Sequence, residues 1–293
     1  MMNQMIEMVS SLRKKKYKNM KISLFTIVFN VIDILPKNMF ELNIQNMYEY
    51  VDEIIIVEGA TKSKGKFDGD TTNFTKNGRS SDGTIDMLKE MEKKYDKVKI
   101  IIGDGFWDGK TSMCNAISNI ATGDYLWQLD SDEFYKKSDI VKIKKLLEEE
   151  KPDSIHFFAN HFFGGFDYCI DERSNKWGNN TPWKRIFRHK KGCSYWISHE
   201  PPNYVCGDLL CDNGKIINRY KTLEMGIKMF HYSYVIYEQV VFKQKFFRNS
   251  SYIPLWNKFK DDKNTLIFGS KVNKFIGKHP KIIEENYGRY INS

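Results

Sequence analysis

The chain has 293 residues, 41% of them hydrophobic and 14% aromatic, so it can bury a large core and is neither a disordered nor a fibrous sequence. No stretch approaches the ~18 uninterrupted apolar residues of a membrane span. The basic run Arg13-Lys14-Lys15-Lys16 follows a mixed polar segment, the reverse of a secretory signal's order, so a cytosolic protein is expected, either free or peripheral to a membrane. The net charge of +9 is unevenly placed: residues 1–20 carry five bases and one acid, residues 242–293 eleven bases and four acids, and the body between is near neutral. Such arms attract an anionic membrane surface or nucleic acid, or are solvated lysines in a lysine-rich composition.

Residues 22–29 are an apolar run of the kind buried on both faces of a parallel sheet. A helix is expected over 36–50, with Pro36 in its first turn, and a second strand over 52–58, ending in Glu58. The polar stretch 59–81 is longer than an ordinary strand-to-helix loop. It carries Gly65, Gly69 and Gly78 to permit movement, and Lys62, Lys64, Lys66 and Arg79 to meet an anionic ligand, so it is expected to be a mobile flap. Ser81 or Asp82 can cap a helix with Ile85, Leu88 and Tyr95 on one face. A third strand follows over 98–102, then a helix over 110–121 with Met113, Ile117 and Ile120 inward, and a fourth strand over 125–129.

This β-α-β-α-β-α-β rhythm predicts an α/β fold built on a mostly parallel sheet flanked by helices, in which ligands sit beyond the carboxyl ends of the strands. Glu58, Asp104, Asp130 and Asp132 all fall at or just after those ends. Residues 138–149 read as an amphipathic helix. The second half changes character, with strands over 154–163, 183–187 and 195–197 joined by irregular loops, and a helix over 234–248 carrying Ile236, Val240, Lys243 and Phe247 on one side. One continuous domain over 21–250, between basic extensions 1–20 and 251–293, is the simplest partition. The extension's aromatics, including Tyr252, Trp256 and Phe259, either pack on the body or, with the interleaved lysines, meet an anionic membrane surface or a nucleic acid.

The densest chemistry is Asp130-Ser131-Asp132-Glu133, where a short apolar strand runs into three carboxylates. Acids separated by one small residue can aim oxygen ligands at Mg²⁺ or Mn²⁺ and leave positions open for phosphate oxygens. Cys114, Cys169, Cys193, Cys206 and Cys211 are an odd number without a signal peptide, which favours reduced thiols. Zinc held by Cys193, His199, Cys206 and Cys211 is disfavoured because no Cys-x-x-Cys pair is present.

With these pieces in order, the chain resembles glycosyltransferases of the GT-A fold, particularly the family 2 sugar-nucleotide transferases of lipopolysaccharide-core type. The resemblance rests on Lys110-Thr111-Ser112-Met113-Cys114-Asn115-Ala116, on Ala121-Thr122-Gly123-Asp124-Tyr125 running to Asp130-Ser131-Asp132-Glu133, and on Trp183-Lys184-Arg185-Ile186-Phe187-Arg188 with Ser198-His199-Glu200 and Phe230-His231-Tyr232. It implies a Rossmann-like GT-A sheet with a mixed acceptor-side second half, and a metal-dependent inverting transfer from a nucleotide sugar, UDP-linked as first choice, to a glycan, lipid-linked or polymer acceptor.

Within that resemblance Asp132 is the direct ligand of Mn²⁺ or Mg²⁺, and Asp130 meets the metal through water or the donor's ribose. His231 is a further ligand or, on its own sequence context, a hydrogen-bonded core histidine. Glu58, Asp104 and Lys110 are placed on the donor side, with Lys110 at a helix amino end that favours anions. Glu200, in the turn His199-Glu200-Pro201-Pro202, is the expected base, the other reading being a partner for Arg185 or Arg188. Asp208 and Asp212 are fallback bases. A departure is Glu58, where the family usually has Asp. The competing readings are a nucleotidyltransferase, against which residues 29–33 lack a Gly-rich basic loop, and a noncatalytic nucleic-acid-binding module using the basic arms.

Overall fold

In the computed structural model, which describes residues 20–62, 70–170, 182–199 and 202–291, the apolar runs near the N-terminus form the middle of a seven-stranded sheet. Strands β1 (Ile22–Val28), β2 (Glu53–Glu58), β3 (Val98–Ile102) and β4 (Tyr125–Gln128) run parallel in the spatial order β4-β1-β2-β3. All of β2 and all but Ile27 of β1 are buried, as parallel strands covered on both faces require. The chain leaves β1 for β2 on one side and returns to its other side with β4, so the reversal of strand order falls between β1 and β4. In such sheets that reversal opens a crevice.

The helices differ in detail from the expected spans. Instead of one helix over 36–50, α1 (Val31–Ile34) is followed by α2 (Met39–Met47) and a 3-10 turn at Tyr48–Tyr50, because Asn38 takes a left-handed backbone with φ 64° and interrupts the path. In α3 (Thr84–Lys94) the inner face is Thr84, Leu88 and Met91, with Ile85 only half-buried; Asp82 Oδ1 accepts from the Thr84 N–H at 3.0 Å. Helix α4 (Lys110–Ile120) buries Met113, Cys114, Ile117 and Ser118, which leaves Ile120 about a quarter-turn off the buried face and 38% exposed. Helix α5 (Lys137–Glu150) buries Ile140, Ile143 and Leu147, as its spacing predicts.

After β4 the chain changes sheet. Strand β5 (Glu133–Phe134) belongs to a second, five-stranded sheet, and the expected single strand over 154–163 divides at Phe158 for the same reason. Its first part, β6 (Ser154–Phe157), stays in the large sheet, and β7 (Ala159–Phe163) joins the second one with β8 (Tyr168–Ile170). Strand β9 (Trp183–Arg188) runs antiparallel between β4 and β6, so the large sheet is mixed on that side. Strands β10 (Ser194–His199), β11 (Pro202–Cys206) and β12 (Leu209–Leu210) make a small third sheet, and β13 (Ile216–Ile217) is an edge of the large one. After helix α6 (Arg219–Glu224), β14 (Met229–Tyr234) lies between β7 and β5. Tyr234 is therefore strand, and the helix expected over 234–248 is the shorter α7 (Tyr237–Phe246).

Two local devices tie the first sheet together. The buried Glu53 carboxylate accepts from Ser23 Oγ at 2.5 Å, from Thr122 N–H and Oγ1 at 2.5 and 2.8 Å, and from Lys99 Nζ at 2.8 Å. It thereby joins β1, β2, β3 and the approach to β4. Gly123 makes this possible: its N–H donates to Ser23 Oγ at 2.8 Å, and a Cβ there would sit 2.6 Å from the Ser23 nitrogen.

Of the expected flap, residues 63–69 lie outside the described residues, as do residues 1–19 of the N-terminal extension. The flap's flanks are held. Thr61 N–H donates to Thr71 Oγ1 at 2.7 Å, Asp70 N–H to the Phe246 carbonyl at 3.2 Å, and Phe74 packs on Phe242 with ring centroids 5.0 Å apart.

Residues beyond 250 form helix α8 (Tyr252–Asp261), strand β15 (Val272–Lys274) and helix α9 (Lys281–Tyr287). Their aromatics face the body. Tyr252, Trp256 and Phe259 are buried with Phe163 and Tyr234, while Ile283 and Tyr287 join the main core. Tyr287 Oη donates to the Lys37 carbonyl at 2.7 Å. No helix among the described residues is long and apolar enough to cross a membrane. All five cysteines are free, and among the described residues no three His, Cys, Asp or Glu side chains converge on a metal position, so the zinc set of Cys193, His199, Cys206 and Cys211 is not assembled.

Candidate active site

The turn Asp130-Ser131-Asp132 is the point at which the chain passes from the large sheet to the second one. Leu129 N–H still donates to the Phe25 carbonyl at 2.9 Å, as a continuation of β4, and four residues later Glu133 pairs with His231 in the register of β5 and β14. The two aspartates thus stand at the junction of two sheets, beside the switch between β1 and β4. A cleft of about 700 Å³ opens there, walled by Phe29 and Val31 after β1, Thr61, Lys110 of α4, both aspartates, His161, Trp183, His199, His231, and Lys243 and Phe246 of α7.

Buried polar groups hold the turn from beneath. On α2, Asn43 Nδ2 donates to the carbonyls of Asp130 and Glu133 at 3.1 and 2.6 Å, and Asn46 Nδ2 to that of Tyr135 at 2.9 Å. From β9, Arg185 donates through Nε to both oxygens of Glu133, at 3.1 and 2.9 Å, and through Nη2 to Glu133 Oε1 at 2.5 Å and Asp130 Oδ2 at 3.2 Å. Its guanidinium also lies over the Trp183 ring, 4.9 Å from the centroid. Burial pushes Arg185 towards losing its proton, but Glu133 and Asp130 outweigh it and hold the charge. Burial likewise raises the Asp130 carboxyl, yet Arg185, with His199 and Lys110, brings it below its ordinary range.

Asp132 has a different partner. Its Oδ1 is 3.4 Å from His231 Nε2, and although burial opposes its charge, His231 and Lys243 keep it well below the usual carboxylate range. His161 stands beside His231 on the adjacent parallel strand, ring centroids 4.5 Å apart, and burial holds it neutral. The Lys243 ammonium contacts Ser233 Oγ and lies over the Tyr234 ring. Lys110, from α4, lies over the Phe246 ring at 5.3 Å.

The expected site residues divide accordingly. Asp130, Asp132, His231 and Lys110 meet at one cleft. Glu58 does not line it: the residue is fully buried, its Oε1 accepts from the Ser80 N–H at 2.7 Å, and its Oε2 is buried with no partner among the described residues, so burial raises its pKa, while its neighbours Gly59 and Thr61 do line the wall. Asp104 is away from the cleft, solvated and facing Arg79 at 3.4 Å. Glu200 lies outside the described residues. Of the fallback bases, Asp212 is paired with Lys184 and His156, and neither it nor Asp208 lines the cleft. Asn43, Arg185 as the clamp on Glu133, His161 and His199 were not anticipated. Arg185 and His199 do fall in the stretches on which the resemblance rests, but Arg185 was weighed only as a partner for Glu200 and His199 only as a zinc ligand.

The family model described as Glycosyl transferase family 2 matches residues 76–201, from the end of the flap through α3, the acid turn and β10. No curated protein matches the chain. Solved structures to which it is similar include S. aureus TarS 1–349 in complex with UDP-GlcNAc, at 16% identity over 49% of this chain and 35% of that one with a TM-score of 0.34. Another is the mannosyltransferase PcManGT from Pyrobaculum calidifontis in complex with GDP-Man and Mn²⁺, at 13% identity over 62% and 50% with a TM-score of 0.37. The chain thus spans half or less of the solved chains it matches. Residues 76–201, which include the acid turn between β4 and β5, are thus similar to glycosyl transferase family 2.

Proposed function

We propose that this chain moves a sugar from a nucleoside diphosphate sugar, UDP-linked as first choice, to a hydroxyl of a glycan, lipid-linked sugar or other polymer, with inversion at the anomeric carbon. The observation that carries the reading is the pairing of Asp132 with His231 in a cleft also lined by two lysines from separate helices, Lys110 and Lys243. The residues fit a divalent cation, Mn²⁺ or Mg²⁺, of the kind that takes one or two protein ligands and draws the rest from phosphate and water. Asp132 and His231 would hold it, with Asp130 beside them; an imidazole nitrogen, His231 Nε2, and a carboxylate oxygen, Asp132 Oδ1, stand 3.4 Å apart and are donors such an ion accepts. When bound, such an ion supplies Lewis-acid stabilisation of the departing diphosphate.

The protein's own groups account for the remaining chemistry. As the bond from the anomeric carbon to the β-phosphate oxygen breaks, the nucleoside diphosphate leaves with the electron pair, and Lys110 and Lys243 offset its growing charge. The acceptor oxygen forms the new bond from the opposite face, and Glu200, next in sequence to the cleft residue His199, takes its proton. Arg185 and Asn43 act indirectly by fixing the turn that carries both aspartates.

Thermal denaturation with a panel of sugar nucleotides, each with and without Mn²⁺ or Mg²⁺, tests the reading, since a ligand bound only by the folded chain raises its apparent stability. A rise in Tm that needs nucleotide sugar and ion together is expected. No shift with any donor would overturn it. Glu200→Gln should retain donor-dependent stabilisation and lose transfer by about 10²-fold or more.

A further inference from the structure

Residues 271–281 carry Lys271, Lys274, Lys278 and Lys281 without a single acid, and in the middle of this run Ile276 is 96% exposed. The fold explains the exposure. β15 is an edge strand of the second sheet, paired with β8 from Val272↔Ile170 to Lys274↔Tyr168. The Phe275 N–H donates to the Asp167 carbonyl at 2.6 Å, and its ring turns inward against Phe162 and His279, at centroid separations of 5.1 and 4.9 Å. Alternation along the extended chain then directs Ile276 outward. Lys281 is paired with Glu285 at 3.4 Å, whereas Lys271, Lys274 and Lys278 are exposed and make no ion pair among the described residues.

One exposed isoleucine is ordinary on a protein surface. Its setting between unpaired lysines in an acid-free run is what distinguishes it. We infer that this edge is a docking surface for an anionic lipid bilayer, with Lys271, Lys274 and Lys278 meeting headgroup phosphates and Ile276 entering the acyl boundary. Attraction to an anionic leaflet multiplies partitioning by roughly fivefold per lysine. A single apolar side chain adds a further modest factor, so the two contributions together give reversible attachment. Nucleic acid is the poorer fit, because single strands are held by stacking on exposed rings, whereas Phe275 and His279, the two rings of the run, are turned inward against each other and Phe162. The inference is independent of the sugar-transfer reading.

Cosedimentation of the full-length chain with vesicles of phosphatidylcholine alone, and of phosphatidylcholine mixed with phosphatidylglycerol, tests it without any donor present. Binding to the anionic vesicles, weakening with salt, is expected. The combined variant Lys271→Gln, Lys274→Gln, Lys278→Gln should lower partitioning by roughly 10²-fold, and Ile276→Ser by about tenfold, both with Tm unchanged. The N-terminal run Arg13-Lys14-Lys15-Lys16 also attracts anionic lipid, so binding that survives both variants overturns the assignment. Absence of vesicle binding overturns it as well, and so does tighter binding to an oligonucleotide than to vesicles.

Discussion

Arg185 holds Glu133 with both oxygens engaged, and neither side chain reaches solvent to any useful extent: 4% for Arg185 and none for Glu133. The pair comes from adjacent parts of two sheets, so it rivets the acid turn at the junction and removes Glu133 from any role as a base. Taking away one member of such a pair strands a buried charge. Arg185→Met is expected to cost about 3–5 kcal/mol in urea unfolding, whereas the joint change with Glu133→Leu should cost much less. Equal losses for the single and double variants would show that the pair is not coupled.

Asp132→Asn should leave the fold intact, because the residue faces the cleft rather than the apolar core, and should abolish metal-dependent donor turnover. The Tm shift on adding nucleotide sugar with Mn²⁺ should disappear with it. Near-normal transfer by this variant would rule out Asp132 as a ligand.

For Lys243→Met the expected loss is about 10²-fold in kcat/KM, the scale seen when one preorganised electrostatic donor is removed. Lys243→Arg should recover part of it, since charge rather than shape is needed. Steady-state kinetics on both variants, with circular dichroism as the control for folding, would separate this from a packing role on the Tyr234 ring.

Glu53 makes stability depend on acidity. Burial opposes its charge, but Lys99, Ser23 and Thr122 win and lower its pKa from 4.5 to about 2. A carboxyl depressed in the folded state stabilises the protein above its unfolded value, and that stabilisation disappears as pH falls through the folded one. The window is therefore pH 4.5 down to about 2. The change is on the order of 2 kcal/mol, allowing for the half-exposed Lys99. Urea midpoints measured across this range should fall for the native chain and be nearly flat for Glu53→Gln.

Truncation after residue 250 should prevent soluble folding, because it uncovers Phe163 and Tyr234 and removes the buried Phe259, Ile283 and Tyr287. Expression with a solubility assay checks this. A folded, donor-hydrolysing fragment would show that the C-terminal segment is an appendage.

The alternation of apolar runs with helical stripes was enough to find β1 to β4, the helices between them and the carboxylates at the strand ends, because each depends on local periodicity and near-neighbour burial. It also located Asp130 and Asp132, since a strand running into closely spaced acids is a local pattern. Tertiary structure decided what those acids face. Sequence does not say that β5 leaves the first sheet, that His231 falls opposite Glu133, or that Arg185 from β9 reaches back to the turn, since each rests on pairing between residues 52 to 98 positions apart. For the same reason Glu58 and Asp104, equivalent in the linear pattern, have opposite fates. The turn after Gly78 buries the first and leaves the second in water, as only the three-dimensional path of the chain could determine.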